Sequence, residues 1–218
     1  HSNEIGISLC ETTNIVRDNY IHDNYWLGVL VSHGACGELS NNLIIHNGDS
    51  ARIATAGVLC WQDYMRRPDL NMTPIIRNNT IHGNRGPGIR CRYVRGGLCT
   101  PVIQHNLITW NQGPAIQSET VFGDPDTMPY PIVHYCNFWQ NTGGATLNVP
   151  RVIGCMENDP LYLDGFYLDP ASPCIDGGML PGTWGKVLDY DVLDTKKVDI
   201  GYHHPPKSGH SDPYPLND

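Results

Sequence analysis

A six-residue figure returns along this chain: asparagine, one residue, a hydrophobe, two residues, asparagine. It reads NYIHDN (19–24), NLIIHN (42–47), NTIHGN (79–84), NLITWN (106–111) and, degraded, CNFWQN (136–141). After each copy comes a small residue and an alternating run: GVLVS from Gly28, GVLC from Gly57, GIRC from Gly88, AIQS from Ala115 and ATLN from Ala145, with GISLC from Gly6 ahead of them all. Units this short cannot bury an apolar face alone and must stack on their neighbours.

The first positions of the five copies (19, 42, 79, 106 and 136) are separated by 23, 37, 27 and 30 residues. That irregularity suits a coil whose loops vary while its strands do not. Within each coil the runs alternate with period two, so that Val58 and Cys60, Ile89 and Cys91, Ile116 and Ser118 share one face, and Leu59, Arg90 and Gln117 share the other. Three short strands per coil can be drawn, as in PIIRN (74–78), NTIHGN and GIRC. The expected fold is all-β: a single-stranded right-handed parallel β-helix of about five to six coils, with a C-terminal capping segment and an extended tail. One continuous core is expected from Val58, Ile89, Ile116, Ile44, Ile81, Ile108, Val16, Ile76 and Ile103. The recurrent asparagines then have a mechanical role, since a side-chain amide at a tight corner hydrogen-bonds backbone groups and its stacked neighbours. The glycines allow close backbone approach or a left-handed residue at the next corner.

Composition agrees with a turn-dense β protein: 23 glycines and 17 prolines in 218 residues, with only 17% charged side chains. No apolar run approaches the ~20 residues of a membrane span. A signal peptide is expected to lie outside this chain, since His1 opens in the middle of a repeat with no polar cap. Upstream sequence, processing or continuation of the coil by another subunit is therefore expected. Eight cysteines suggest at least one disulfide: Cys91 and Cys99 flank the compact loop RYVRGGL, whereas Cys60 and Cys91 share an inward register and read equally well as small core hydrophobes. No CxxC or HxxxH supports structural zinc.

Charge is uneven. Residues 1–156 hold 10 arginines against 11 acids and residues 157–218 hold 4 lysines against 11 acids, about −1 and −7 of the total −8. Such a balance argues against a nucleic-acid partner. Yet Arg66, Arg67, Arg77, Arg85, Arg90, Arg92 and Arg95 crowd into thirty residues, a basic patch suited to a smaller anionic ligand.

From Asn158 the chain reads NDPLYLDGFYLDPASPCIDGG, and later VDIGY (198–202). This resembles the closing segment of many secreted bacterial and archaeal parallel β-helix proteins of the pectate-lyase-like superfamily, in which DP-hydrophobic-aromatic, Y-x-L-x-x-x-SPCIDxG and VDIGxxE follow one another. Asp159, Pro160, Leu161, Ser172, Pro173, Cys174, Ile175, Asp176, Gly178, Val198, Asp199, Ile200 and Gly201 carry the likeness. It ends at Tyr202, where relatives often continue into a glutamate and an anchor and this chain has HHPPKSGHSDPYPLND. The resemblance implies the fold and an extracellular or cell-surface address, and leaves the activity open. Three regions are expected: coils over 1–156, a cap over 157–202 folded on the last coil through Leu161, Tyr162, Leu168, Cys174 and Ile175, and a Pro-rich tail over 203–218.

Aligning the coils gives two outward rows: Ser8, Leu30, Leu59, Arg90, Gln117, Thr146, and Cys10, Ser32, Trp61, Arg92, Glu119, Asn148. With the loops that follow, they would wall a groove furnished with Trp61, Tyr64, Arg66, Arg92, Tyr93, Arg95, Glu119 and Asp124. Aromatic planes stack on sugars, arginines take uronate or sulfate bidentately, and acids hydrogen-bond hydroxyls. The expected function is an extracellular β-helix scaffold or binding protein that binds anionic polysaccharide and self-assembles with neighbouring subunits. The alternative is a polysaccharide lyase or glycoside hydrolase, with Asp63, Arg90, Arg92 and Glu119 as catalytic candidates; no diagnostic catalytic motif chooses between the two. No cofactor is required, and calcium would suit Asp189, Asp191 and Asp194. Minor candidates are a His203–His204 metal pair and the glycosylation sequons at Asn71 and Asn78.

Overall fold

The computed structural model describes residues 2–49, 54–62, 70–94, 97–121, 128–179 and 197–203. The first coil is β1 (Ile5–Cys10), β2 (Ile15–Arg17) and β3 (Tyr20–His22), the second β4 (Leu27–Ser32), β5 (Glu38–Ser40) and β6 (Leu43–Ile45). The third is β7 (Ala56–Gln62), β8 (Ile75–Arg77) and β9 (Thr80–His82), the fourth β10 (Ile89–Tyr93), β11 (Val102–Gln104) and β12 (Leu107–Thr109). The fifth is β13 (Ile116–Thr120), β14 (Ile132–His134) and β15 (Asn137–Trp139). A sixth begins with β16 (Thr146–Leu147) and β17 (Val152–Ile153), and a bridge from Met156 to Asn137 stands for its third strand.

Corresponding strands stack, all parallel, into three sheets: sheet A (β1-β4-β7-β10-β13-β16), sheet B (β2-β5-β8-β11-β14-β17) and sheet C (β3-β6-β9-β12-β15). The chain is a parallel β-helix of five complete coils and a partial sixth. Because facing residues sit one rung apart, the inward positions of each sheet form straight columns: Val29, Val58, Ile89 and Ile116 from sheet A, Leu39, Ile76, Ile103 and Val133 from sheet B, Ile21, Ile44, Ile81, Ile108 and Phe138 from sheet C. They make one core cluster, with Val16 partly buried against it, as the alternation predicts. At the sixth coil the outward rows end one residue later than expected. Thr146 faces Ile116 and Leu147 faces Gln117, so Leu147 rather than Thr146 closes the first row.

The asparagines form two ladders at the ends of sheet C. In the first, the Nδ2 of Asn19, Asn42 and Asn79 donates to the Oδ1 of Asn42, Asn79 and Asn106 at 3.0 Å each, and the backbone N of each donor residue bonds the same oxygen. The second runs Asn24–Asn47–Asn84–Asn111–Asn141 in the same way. The inner amides Asn42, Asn47, Asn79, Asn106 and Asn111 also donate to carbonyls of their own coil and the previous one, as Asn79 does to Arg77 and Leu39. Residues that turn the corner would leave buried backbone groups unmatched, and the amides satisfy them. The residue before each ladder position is left-handed: Asp18, Asn41, Asn78, His105 and, before Cys136, Tyr135 on one ladder, Asp23, His46, Gly83, Trp110 and Gln140 on the other. Left-handed geometry thus falls mostly on non-glycine corner residues, while Gly28, Gly57 and Gly88 serve close approach. A Cβ on Gly57 would lie 2.8 Å from the Gly88 carbonyl oxygen.

The C-terminal segment packs on the outer flank of sheet C. Tyr162, Leu168, Cys174, Ile175 and Ile200 gather around Leu107, and Phe166 and Tyr202 cover Leu43 and Ile45, whereas Leu161 stays exposed. Residues 198–203 run across the coils as a strap: Gly201 N donates to the His105 carbonyl in the fourth coil, Tyr202 N to Thr80 Oγ1 in the third, and the His203 carbonyl accepts from Asn41 Nδ2 in the second. His203, expected at the start of a tail, is therefore buried beside Asn41. Asn78 of the second sequon is also buried, its Nδ2 donating to the Asp199 carbonyl, which closes it to glycosylation. Among the described residues no helix is long and apolar enough to cross a membrane.

All eight cysteines are free, correcting the expectation of a disulfide. Cys60 and Cys91 face each other inward on adjacent rungs, and Cys91 hydrogen-bonds Cys60 rather than reaching across its loop to Cys99. That hydrogen bond, with burial, pushes the Cys91 thiol well up, and burial does the same for Cys99. These thiols act as small core groups.

Candidate functional site

The outer face of sheet A is the surface on which the predicted residues meet. In β7, β10 and β13, Trp61, Arg92 and Glu119 form one outward column and Leu59, Arg90 and Gln117 the next. Alternation along each strand puts Arg90 and Arg92 on the same side, and the rung spacing of ~4.8 Å spreads the Trp61–Arg92–Glu119 column over about 10 Å.

Glu119 organises the charges. Its Oε1 lies 3.4 Å from Arg92 Nε and 4.0 Å from Arg90 Nη1, and its Oε2 accepts from Gln117 Nε2 at 3.1 Å. Two guanidiniums share one carboxylate, so the cluster keeps one excess positive charge. Burial pulls Arg90 below its usual range; Glu119 opposes that shift and Arg92 adds to it. Two donors are buried without a hydrogen-bond partner, Arg90 Nε and the indole Nε1 of Trp61. Trp61 rests beside the outer apolar group of Leu27, Ala56 and Leu59, and its ring centroid is 6.3 Å from that of His33.

Tyr93 does not join this face. The alternation that turns Arg90 and Arg92 outward carries Ile89, Cys91 and Tyr93 inward, and Tyr93 belongs to the core cluster. Its placement in a groove came from reading RYVRGGL as a loop, whereas Arg92 and Tyr93 still lie in β10. Asp63, Tyr64, Arg66, Arg95 and Asp124 lie outside the described residues, as do Asp189, Asp191, Asp194 and His204. Among the described residues no group of three or more histidine, cysteine or acidic side chains is placed to hold a metal ion.

Two clusters were not anticipated. At the start of the Trp61 column, Cys10 and Ser32 occupy the rungs before it, with His33 beside both. On the opposite flank, His82 sits beneath the C-terminal segment among Trp110, Tyr162 and Phe166. A signal existed for the first, since Cys10 and Ser32 fall in the same outward row as Trp61. None existed for the second, because its aromatic partners are distant in sequence. The fold and this face define the class: a parallel β-helix carrying an arginine–glutamate–tryptophan column on one outer sheet. No protein-family model, curated protein or solved structure matches the chain.

Proposed function

We propose that the protein is an extracellular β-helix binding protein of the pectate-lyase-like superfamily that holds an anionic polysaccharide along the outer face of sheet A. One observation carries the reading. Arg90 and Arg92 project side by side from a rigid strand, steadied by a single Glu119, next to an indole whose N–H has no partner. An excess of one guanidinium on this outer face suits uronate or sulfate groups, and the Trp61 ring in the same column offers an apolar plane to the sugar. The closing DPL, SPCID and VDIG motifs support the superfamily and the extracellular address. Neighbouring subunits remain part of the proposal, since a β-helix end presents strands to which another copy can add.

Lyase chemistry is the second reading: proton abstraction alpha to a carboxylate needs a base over the groove, and Arg90 and Arg92, adjacent on the outer face, are the groups placed there. Glu119, already shared by two arginines and Gln117, is poorly suited to act as a glycosidase acid. Calorimetric titration with uronate and sulfated oligosaccharides at low salt tests the binding reading. Binding is expected, weakening as salt is raised, and Arg92→Ala should abolish it without loss of β structure. No heat with any acidic oligosaccharide, or binding indifferent to Arg92→Ala, would overturn it. Release of ultraviolet-absorbing unsaturated product in the same mixtures would favour the lyase.

A further inference from the structure

Cys10 and Cys36 are both exposed thiols, but their surroundings differ. The Cys36 sulfur faces the carbonyls of Gly34 and Asn71 and the hydroxyl of Thr73, none of which can take its proton. The Cys10 sulfur is 3.4 Å from Nδ1 of His33. That same Nδ1 is 2.9 Å from the hydroxyl of Ser32, which is itself buried. His33 holds a left-handed backbone at φ 54°, its N–H donates to the Trp61 carbonyl, and its ring tilts against the Trp61 indole. Thiol and imidazole therefore occupy one rigid corner, with the Ser32 hydroxyl on the same Nδ1, and a thiol beside an imidazole is the pair that activates a cysteine nucleophile.

We propose that Cys10 and His33 form a nucleophilic pair that makes Cys10 the covalent attachment site for soft carbon electrophiles, the α,β-unsaturated carbonyl class. In the tautomer with its proton on Nε2, His33 accepts the thiol proton on Nδ1 as Sγ bonds to the β-carbon. The π electrons move toward the carbonyl, and the α-carbon then takes a proton from the imidazolium. The product is a thioether, nothing leaves and no oxidant is needed. In the resting tautomer the Ser32 hydroxyl donates to the bare Nδ1 and must turn away as the thiol proton arrives there. Once Nδ1 is protonated the same oxygen accepts from it, so Ser32 is a positioning residue for the charged ring. The site does not depend on glycan binding, although it lies two rungs from Trp61 in the same column.

N-ethylmaleimide at limiting amounts, with peptide mass mapping of the full chain, is the test, and Cys36 is its internal control. Cys10 should react about tenfold faster than Cys36, a modest share of what a positioned base contributes. In His33→Asn, whose side chain tolerates the left-handed corner, Cys10 should slow to the rate of Cys36 while Cys36 itself is unchanged. His33→Gly keeps the corner by another route, and added imidazole should restore its Cys10 labelling, which a purely structural role for His33 would not permit. Cys36 or the half-buried Cys155 reacting as fast as Cys10 would overturn the proposal. So would an unchanged Cys10 rate in the folded His33 variants.

Discussion

Acidification should loosen the C-terminal segment through a single histidine. His82 points outward from β9, with ring centroids of Phe166 at 4.9 Å, Trp110 at 5.3 Å, His46 at 5.8 Å and Tyr162 at 6.0 Å. Its Nδ1 is 2.9 Å from Thr109 Oγ1, which in turn lies 3.2 Å from the Tyr162 hydroxyl. Burial, and then the neighbouring His46, push its pKa from 6.5 down to about 4. The folded protein thus binds this proton more weakly than the unfolded chain. Above pH 6.5 the group is neutral in both states and costs nothing. As pH falls from 6.5 to about 4 the unfolded chain gains the proton first, so stability declines, and below about 4 the loss is complete. At about 1.4 kcal/mol per unit the whole loss is about 3 kcal/mol. Urea unfolding of wild type and His82→Gln across that range isolates the effect, because every other group titrates in both. The difference between the two should be constant above pH 6.5 and move by about 3 kcal/mol in favour of the variant by about pH 4. Trp110 fluorescence should report the same change locally. Parallel pH curves, or a His82 proton titrating near 6.5 by nuclear magnetic resonance, would refute the account.

Ile81 is fully buried in the core column, and Ile81→Ala should cost about 2–5 kcal/mol in chemical denaturation. Asn79→Ala would strip the acceptor from the backbone N–H and amide of Asn42, and at about 1–3 kcal/mol per buried group left unmatched, the loss should exceed 2 kcal/mol in the same assay. The first ladder stops at Cys136, whose sulfur receives the Asn106 N–H at 3.5 Å and its amide at 3.9 Å. Since Cys136 already faces the Ile103 and His134 carbonyls, Cys136→Asn should extend the ladder and raise stability by about 1 kcal/mol; a lower midpoint would show that the fifth corner differs from the others.

Much of the architecture is legible because in a β-helix local periodicity and global position coincide. Each asparagine figure marks a strand of sheet C with its two corners, and each small-residue run marks a strand of sheet A. Period-two alternation then decides which side chains face in. That is why Trp61, Arg90, Arg92 and Glu119 can be assigned to one outer face from their spacing alone, and why Tyr93, two residues beyond Cys91, belongs inside by the same rule. The cysteines were harder to read: inward register identified Cys60 and Cys91 as core groups, but a count of eight also fits a bridged scaffold.

The sequence by itself determined the coil, its core columns and the sidedness of the strands in the complete coils, since these follow from the two-residue repeat of an extended backbone; the register of β16 was the exception. Tertiary structure alone decided which outward faces are covered. His82 on sheet C and Arg90 on sheet A have the same kind of outward position, yet only His82 lies under Tyr162 and Phe166. The bonds that tie the strap to that flank join residues 121, 122 and 162 positions apart, as in Asn78–Asp199, Thr80–Tyr202 and Asn41–His203. No local pattern specifies such a return. It is selected because an apolar flank bearing Leu43, Ile45 and Leu107 is more stable beneath aromatic side chains than in water.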